Sequence, residues 1–231
     1  MKMRSSIILT AALLIFGAAT VSADNCHPTS GTEAKQASAV ESASDMKMAT
    51  ATVGKAAPNF TLVDASGEKH TLSGYAGKYV VLEWINFGCP FVKKHYNSGN
   101  MQKLQKTYGE KGVVWLTICS SAPGKQGYYK GEELTSMVKD HKSRAAAYLI
   151  DSEGDVGRMY QAKTTPNMYV IDPEGVLVYA GAIDDKASVK ESDIASSTNY
   201  VSMALDKAMA GKEVKPAATQ PYGCSVKYSK K

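Results

Sequence analysis

The chain has 231 residues, of which 44% are hydrophobic, 21% charged and 8% aromatic; that suits one domain with extensions, or two small ones, and excludes a wholly disordered chain. Its 27 Lys+Arg against 22 Asp+Glu give a net charge of +5, of which Lys2 and Arg4 supply two. The remaining +3 lies in no basic cluster with interleaved aromatics, so nothing argues for a nucleic-acid partner.

Residues 1–23 read as a secretory signal. Lys2 and Arg4 precede an apolar run from Ile7 to Ala19, and Val21-Ser22-Ala23 offers the small-x-small pattern of a cleavage site. The run falls short of the ~20 apolar residues that span a bilayer, so no stable membrane insertion is expected after cleavage. Cys26 lies three positions beyond Ala23, too far for a lipid-anchored start. The expected location is periplasmic or secreted, an oxidising space in which Cys26, Cys89, Cys119 and Cys224 are more suited to redox chemistry than to a disulfide scaffold.

Residues 24–52 are small and polar and read as a flexible linker. Residues 59–72 alternate around Ala65-Ser-Gly-Glu and predict a β-hairpin. Tyr79 to Ile85 is apolar apart from Glu83, as in a central strand covered on both faces. Pro90 suits a first helical turn; a helix is expected to Asn97, interrupted by Ser98-Gly99-Asn100, with a second piece to about Tyr108. Gly112 to Cys119 is another buried strand, and Leu134, Met137, Val138 and His141 mark one face of a helix. A third strand is expected at 147–151. Residues 168–172 and 176–180 form a second hairpin, and residues 183–198 a polar insertion. Val201, Ala204, Leu205, Ala208 and Met209 form a closing helix stopped by Gly211. Residues 212–231 form an extended tail carrying Cys224. This order gives an α/β fold, a mixed central sheet with helices on both faces. Parallel neighbours place their carboxyl ends on one rim, where function gathers.

The order of elements, the cysteine in WINFGCPFVKKHY and Thr165-Pro166 before NMYVID resemble the thioredoxin-like fold. The block KAAPNFTLVDASGEKHTLSGYAGKYVVLEW resembles the opening of its redoxin (alkyl hydroperoxide reductase/thiol-specific antioxidant) branch. The tail PYGCSVKY resembles that of peroxiredoxin-like bacterial thioredoxin-family proteins. The likeness spans residues 53–231, a redoxin domain at 53–211 followed by the tail. The sequence departs from both enzymatic patterns. Cys89-Pro90-Phe91-Val92 lacks the second cysteine of a C-x-x-C. Asn86 and Leu82 stand where peroxiredoxins place Thr/Ser and Pro, and neither Arg144 nor Arg158 lies just before NMYVID.

Cys89 is the candidate nucleophile. At the start of a helix, unpaired N–H groups and the helix dipole favour a thiolate, and Lys93, Lys94 and His95 are expected to add positive potential. For Glu83 two readings stand level: a buried carboxylate that shuttles protons, as the resemblance implies, or an edge or salt-bridged glutamate. The resemblance also implies that Thr165 and Pro166 face Cys89, with a cis bond that receives an extended substrate. Cys224 ranks first as resolving thiol because about 13 residues separate it from the last helix, a reach of ~43 Å; Cys119, closing a neighbouring strand, and Cys26 follow. A catalytic role and a structural clip are equally open for Cys224.

The expected activity is a thiol-dependent oxidoreductase. Its substrate is a disulfide or hydroperoxide, with disulfide exchange preferred, and an external thiol reductant recycles it without a cofactor. The alternative is a module that binds copper or a partner without turnover, using Cys89 and His95 with soft sulfur from Met46 and Met48. No paired metal-binding motif accompanies them, and His27, His70 and His141 are dispersed.

Overall fold

The computed structural model describes residues 50–230. The signal, most of the linker and Cys26 lie outside the described residues. Among the described residues, packing begins at Ala51, inside the stretch read as linker: it is buried, and its N–H donates to Met159 O at 3.0 Å.

The hairpin comprises β1 (Thr61–Asp64) and β2 (Lys69–Thr71). β3 (Val80–Trp84) is buried at every position, Glu83 included. α1 (Pro90–Asn97) and α2 (Asn100–Gly109) follow. Gly99 between them takes φ 75°, a left-handed conformation that glycine adopts without strain and that turns the chain from one helix into the next. Then come β4 (Val114–Cys119), α3 (Gly131–Asp140), β5 (Ala147–Ile150) and α4 (Asp155–Met159). The remaining elements are β6 (Thr164–Thr165), β7 (Asn167–Ile171), β8 (Leu177–Gly181), α5 (Tyr200–Met209) and β9 (Cys224–Ser225).

Seven strands form one sheet in the order β2-β1-β5-β4-β3-β7-β8, and β6 and β9 form a separate pair. β3, β4 and β5 run parallel, while β7 lies antiparallel to β3. A central strand alternates its side chains between two covered faces. Val81 and Ile85 meet Val92, Tyr96, Met101, Val201 and Leu205 on the side of α1, α2 and α5. Leu82 and Trp84 meet Phe60, Leu72, Val156 and Tyr160 on the side of α4. The parallel strands end together at Trp84, Cys119 and Ile150, so the loop to Cys89 leaves from the expected rim.

Candidate active site

Cys89 is the N-cap of α1, with extended backbone (φ −77°, ψ 128°) and Pro90 at the first helical position. The loop before it is fixed by Asn86. Its Oδ1 accepts from Gly88 N–H at 2.8 Å, its Nδ2 donates to Gln126 O at 3.0 Å, and its backbone carbonyl accepts from Cys89 N–H at 2.9 Å. The Cys89 side chain is buried, at 0% exposure.

Thr165 and Pro166 face this sulfur. Their peptide bond is cis, and the Thr165 carbonyl accepts from Cys89 Sγ at 3.1 Å. Thr165 is also the ladder partner of Cys224 in the antiparallel β6–β9 pair. The tail is therefore no loose extension. Val226 N–H donates to Lys163 O at 3.1 Å, Ala122 N–H donates to Lys227 O at 2.9 Å, and Tyr228 Oη donates to Ala162 O at 2.8 Å.

This arrangement separates the acidities of the two thiols. Burial pushes the Cys89 thiol up, but contacts from the Cys224 thiol and the Thr165 side chain and the backbone N–H groups of Val92 and Cys224 outweigh it, and the net shift is downward. Val92 is the third residue of α1, so its N–H is one of those the helix itself leaves unpaired. For Cys224, burial comes first and the neighbouring Cys89 side chain and charge add to it, raising its pKa to about 11. Of the adjacent pair, Cys89 ionises first and Cys224 keeps its proton.

Glu83 is fully buried on β3. Strands on both sides of β3 rule out the edge reading. Oε2 accepts from Trp115 Nε1 at 2.8 Å and Gln105 Nε2 at 3.3 Å, and Oε1 accepts from Tyr96 Oη at 3.1 Å. Burial raises its pKa to about 7 despite these three donors. Among the described residues no hydrogen bond links Glu83 to either thiol.

Cys119 is not drawn into the pair: it is buried, and its Sγ donates to Gly127 O at 3.3 Å. The potential expected from Lys94 and His95 also needs correction. Both are buried and turn to Asp184, with Lys94 Nζ 3.5 Å and His95 Nε2 3.9 Å from its Oδ2. Burial lowers the pKa of His95 to about 4, with Asp184 raising and Lys94 lowering it; it carries no charge at neutral pH. Asp184 lies in the stretch read only as a polar insertion, and Tyr222, which binds it, was not singled out in the sequence.

Cys89 and His95 do not converge as metal ligands. Among the described residues, the side chains that do are Asp64, Glu68 and His70 on the first hairpin. Both ring nitrogens of His70 are already engaged, by Tyr75 Oη at 2.7 Å and Asp64 Oδ2 at 3.1 Å.

Two curated relatives are similar to this chain in sequence. Thioredoxin-like protein YneN of Bacillus subtilis is 29% identical over 143 residues, 61% of this chain and 79% of that protein. Thiol-disulfide oxidoreductase ResA of Bacillus thuringiensis is 27% identical over 126 residues, 54% of this chain and 67% of that one. Among solved structures, a hypothetical protein from Sinorhizobium meliloti superposes with a TM-score of 0.66 at 26% identity, covering 79% of this chain and 97% of its own. An uncharacterized conserved protein from Geobacillus kaustophilus does so with a TM-score of 0.65 at 26% identity, covering 78% and 94%. The family model described as AhpC/TSA matches residues 53–180, from the first hairpin through the cis-proline and β7 into β8, and the chain belongs to the AhpC/TSA family, a redoxin branch of the thioredoxin-like fold.

Proposed function

We propose that this protein is an exported thiol–disulfide oxidoreductase whose redox pair is Cys89 and Cys224. The observation that carries the reading is the β6–β9 pairing, which sets Cys224 against a thiol at the start of α1. The Cys89 thiolate attacks a substrate disulfide. One sulfur of the substrate becomes bonded to Cys89 and the other leaves as a thiolate. Cys224 then gives up its proton and attacks the Cys89 sulfur, releasing the second substrate thiol and leaving a Cys89–Cys224 disulfide. The substrate has gained two electrons, and an external dithiol returns them to the pair. All electrons move through sulfur–sulfur bonds, so the cycle needs no cofactor.

Disulfide exchange is favoured over reduction of a hydroperoxide. Asn86 stands where a peroxiredoxin places a hydroxyl, and its amide is committed to Gly88 and Gln126. Neither Arg144 nor Arg158 contacts Cys89; Arg158 donates to Ser229 O at 3.1 Å. The names of the ResA relatives, thiol-disulfide oxidoreductases, agree with this choice. Export, to the periplasm or beyond, rests on residues 1–23. The Thr165 carbonyl, set before the cis bond to Pro166, accepts from the thiol, and Glu83 is the buried carboxyl of β3 that holds a proton near neutral pH.

Trapping tests this reading. Reduced protein is mixed with glutathione disulfide, quenched with acid and mapped by mass spectrometry. The unmodified sequence should yield the Cys89–Cys224 disulfide, Cys224→Ser should accumulate a Cys89–glutathione adduct, and Cys89→Ser should yield neither. Unreacted Cys89 in the Cys224→Ser protein would overturn the proposal.

A further inference from the structure

We propose that Tyr222 and Asp184 are positioning residues for the exchange reaction: their half-buried hydrogen bond fixes the tail so that Cys224 lies against Cys89. The inference rests on the functional reading above and adds to it the device that creates the proximity.

The device closes a ring through the fold. Cys89 caps α1, and one turn further the same helix carries Lys94 and His95. Lys94 Nζ sits 3.5 Å from Asp184 Oδ2, with the two side chains 0% and 1% exposed, and donates to Lys186 O at 2.9 Å. Asp184 follows β8. Its Oδ1 accepts from Lys186 N–H at 2.9 Å and from the Tyr222 hydroxyl. Two residues beyond Tyr222, Cys224 returns to the Cys89 sulfur. Helix, carboxylate, tyrosine and tail thus leave Cys224 little freedom.

His95 completes the seat. Its Nδ1 accepts from Asn100 Nδ2 at 2.9 Å. In the neutral ring the proton then belongs on Nε2, which lies 3.4 Å from the Tyr222 oxygen. The hydroxyl can therefore accept from His95 while donating to Asp184. The Tyr222 ring is held too: Phe91 lies 5.8 Å away between centroids, and Lys94 Nζ is 5.8 Å from the ring centre. A buried ion pair adds little net stability by itself. What this one fixes is the direction in which Asp184 presents Oδ1, and hence where the tail can dock. Asp184 Oδ2 makes no hydrogen bond, so Tyr222 is held at one oxygen only.

The experiment separates positioning from fold damage by reading two steps in one variant. In Tyr222→Phe, Cys89–Cys224 disulfide formation is equilibrated against reduced and oxidised glutathione, and melting curves are recorded. In Tyr222→Phe combined with Cys224→Ser, the rate at which Cys89 attacks glutathione disulfide is followed. The effective concentration of Cys224 toward Cys89 should fall about tenfold, a rise of about 30 mV in the potential of the pair, while attack by Cys89 is not slowed. Asp184→Asn, carried through the same two readings, should act in the same direction. An unchanged potential in both variants, or a slowing of Cys89 attack by the same tenfold factor, would overturn the proposal. If the unmodified protein forms no Cys89–Cys224 disulfide, the functional reading fails, and this inference with it.

Discussion

Cys224 is the ladder partner of Thr165, whose carbonyl accepts from the Cys89 thiol at 3.1 Å. In the proposed cycle the contact from Cys224 favours the Cys89 thiolate before Cys224 acts as the resolving thiol. Cys89 is fully buried, and on the proposed reading the tail is the part of its cover that gives way to an incoming disulfide.

Gly223 tests how closely the tail is seated. Its φ is 138°, and a Cβ built there would collide with the Thr165 carbonyl oxygen. That oxygen belongs to the backbone before Pro166 and cannot step aside. Gly223→Ala should weaken docking of β9 and expose Cys89. Alkylation of Cys89 by iodoacetamide should accelerate about tenfold, the response to roughly 1.4 kcal/mol of lost docking. An unchanged rate would mean that the tail does not guard the thiol.

Glu83 should leave a mark on stability against pH. Its ordinary value of 4.5 is raised to about 7 in the folded protein. Between those limits the folded state holds a proton that the unfolded state has released. Its contribution is complete below about pH 4.5 and is lost as the pH rises to about 7, in all about 3 kcal/mol. His95, lowered to about 4, slopes the other way, so the informative quantity is the difference between Glu83→Gln and the unmodified protein. Denaturant unfolding across this range should show the variant gaining on the parent as pH rises. Parallel profiles would contradict a carboxyl protonated in the fold.

Cys119 should prove dispensable. Its thiol is engaged by Gly127 rather than by either member of the pair. Cys119→Ser should form the Cys89–Cys224 disulfide at the parental rate in the glutathione assay. A marked slowing, or a mapped Cys89–Cys119 link in the parent, would give the resolving role to Cys119.

The sequence was most legible where one element carries its own pattern. The apolar run 79–85 contains β3, and Pro90 and Ser98-Gly99-Asn100 bound α1 at both ends as expected. The α4 helix, with five residues, is too short for a helical period to show. The β6 strand, with two residues, exists as a strand only because β9 pairs with it. The site divides in the same way. Cys89 could be found from its place between a strand and a proline-led helix. Chain length allowed Cys224 to reach it and ranked it first, but Cys119, closing a neighbouring strand, remained a geometric rival, and the β6–β9 pairing that favours Cys224 is tertiary. Asp184 was hidden by its neighbours: residues 183–198 are polar as a whole, and nothing local distinguishes the one carboxylate that is buried against α1 from the exposed ones beside it.

The most direct measurement of the central claim is the thiolate absorbance of the reduced protein titrated against pH, with the curve of Cys89→Ser subtracted. Cys89 should ionise below the ~8.5 of an ordinary cysteine, and in Cys224→Ala its midpoint should move up as the thiol contact is lost. A difference curve with its midpoint at or above the ordinary value, or one that Cys224→Ala leaves in place, would contradict the account.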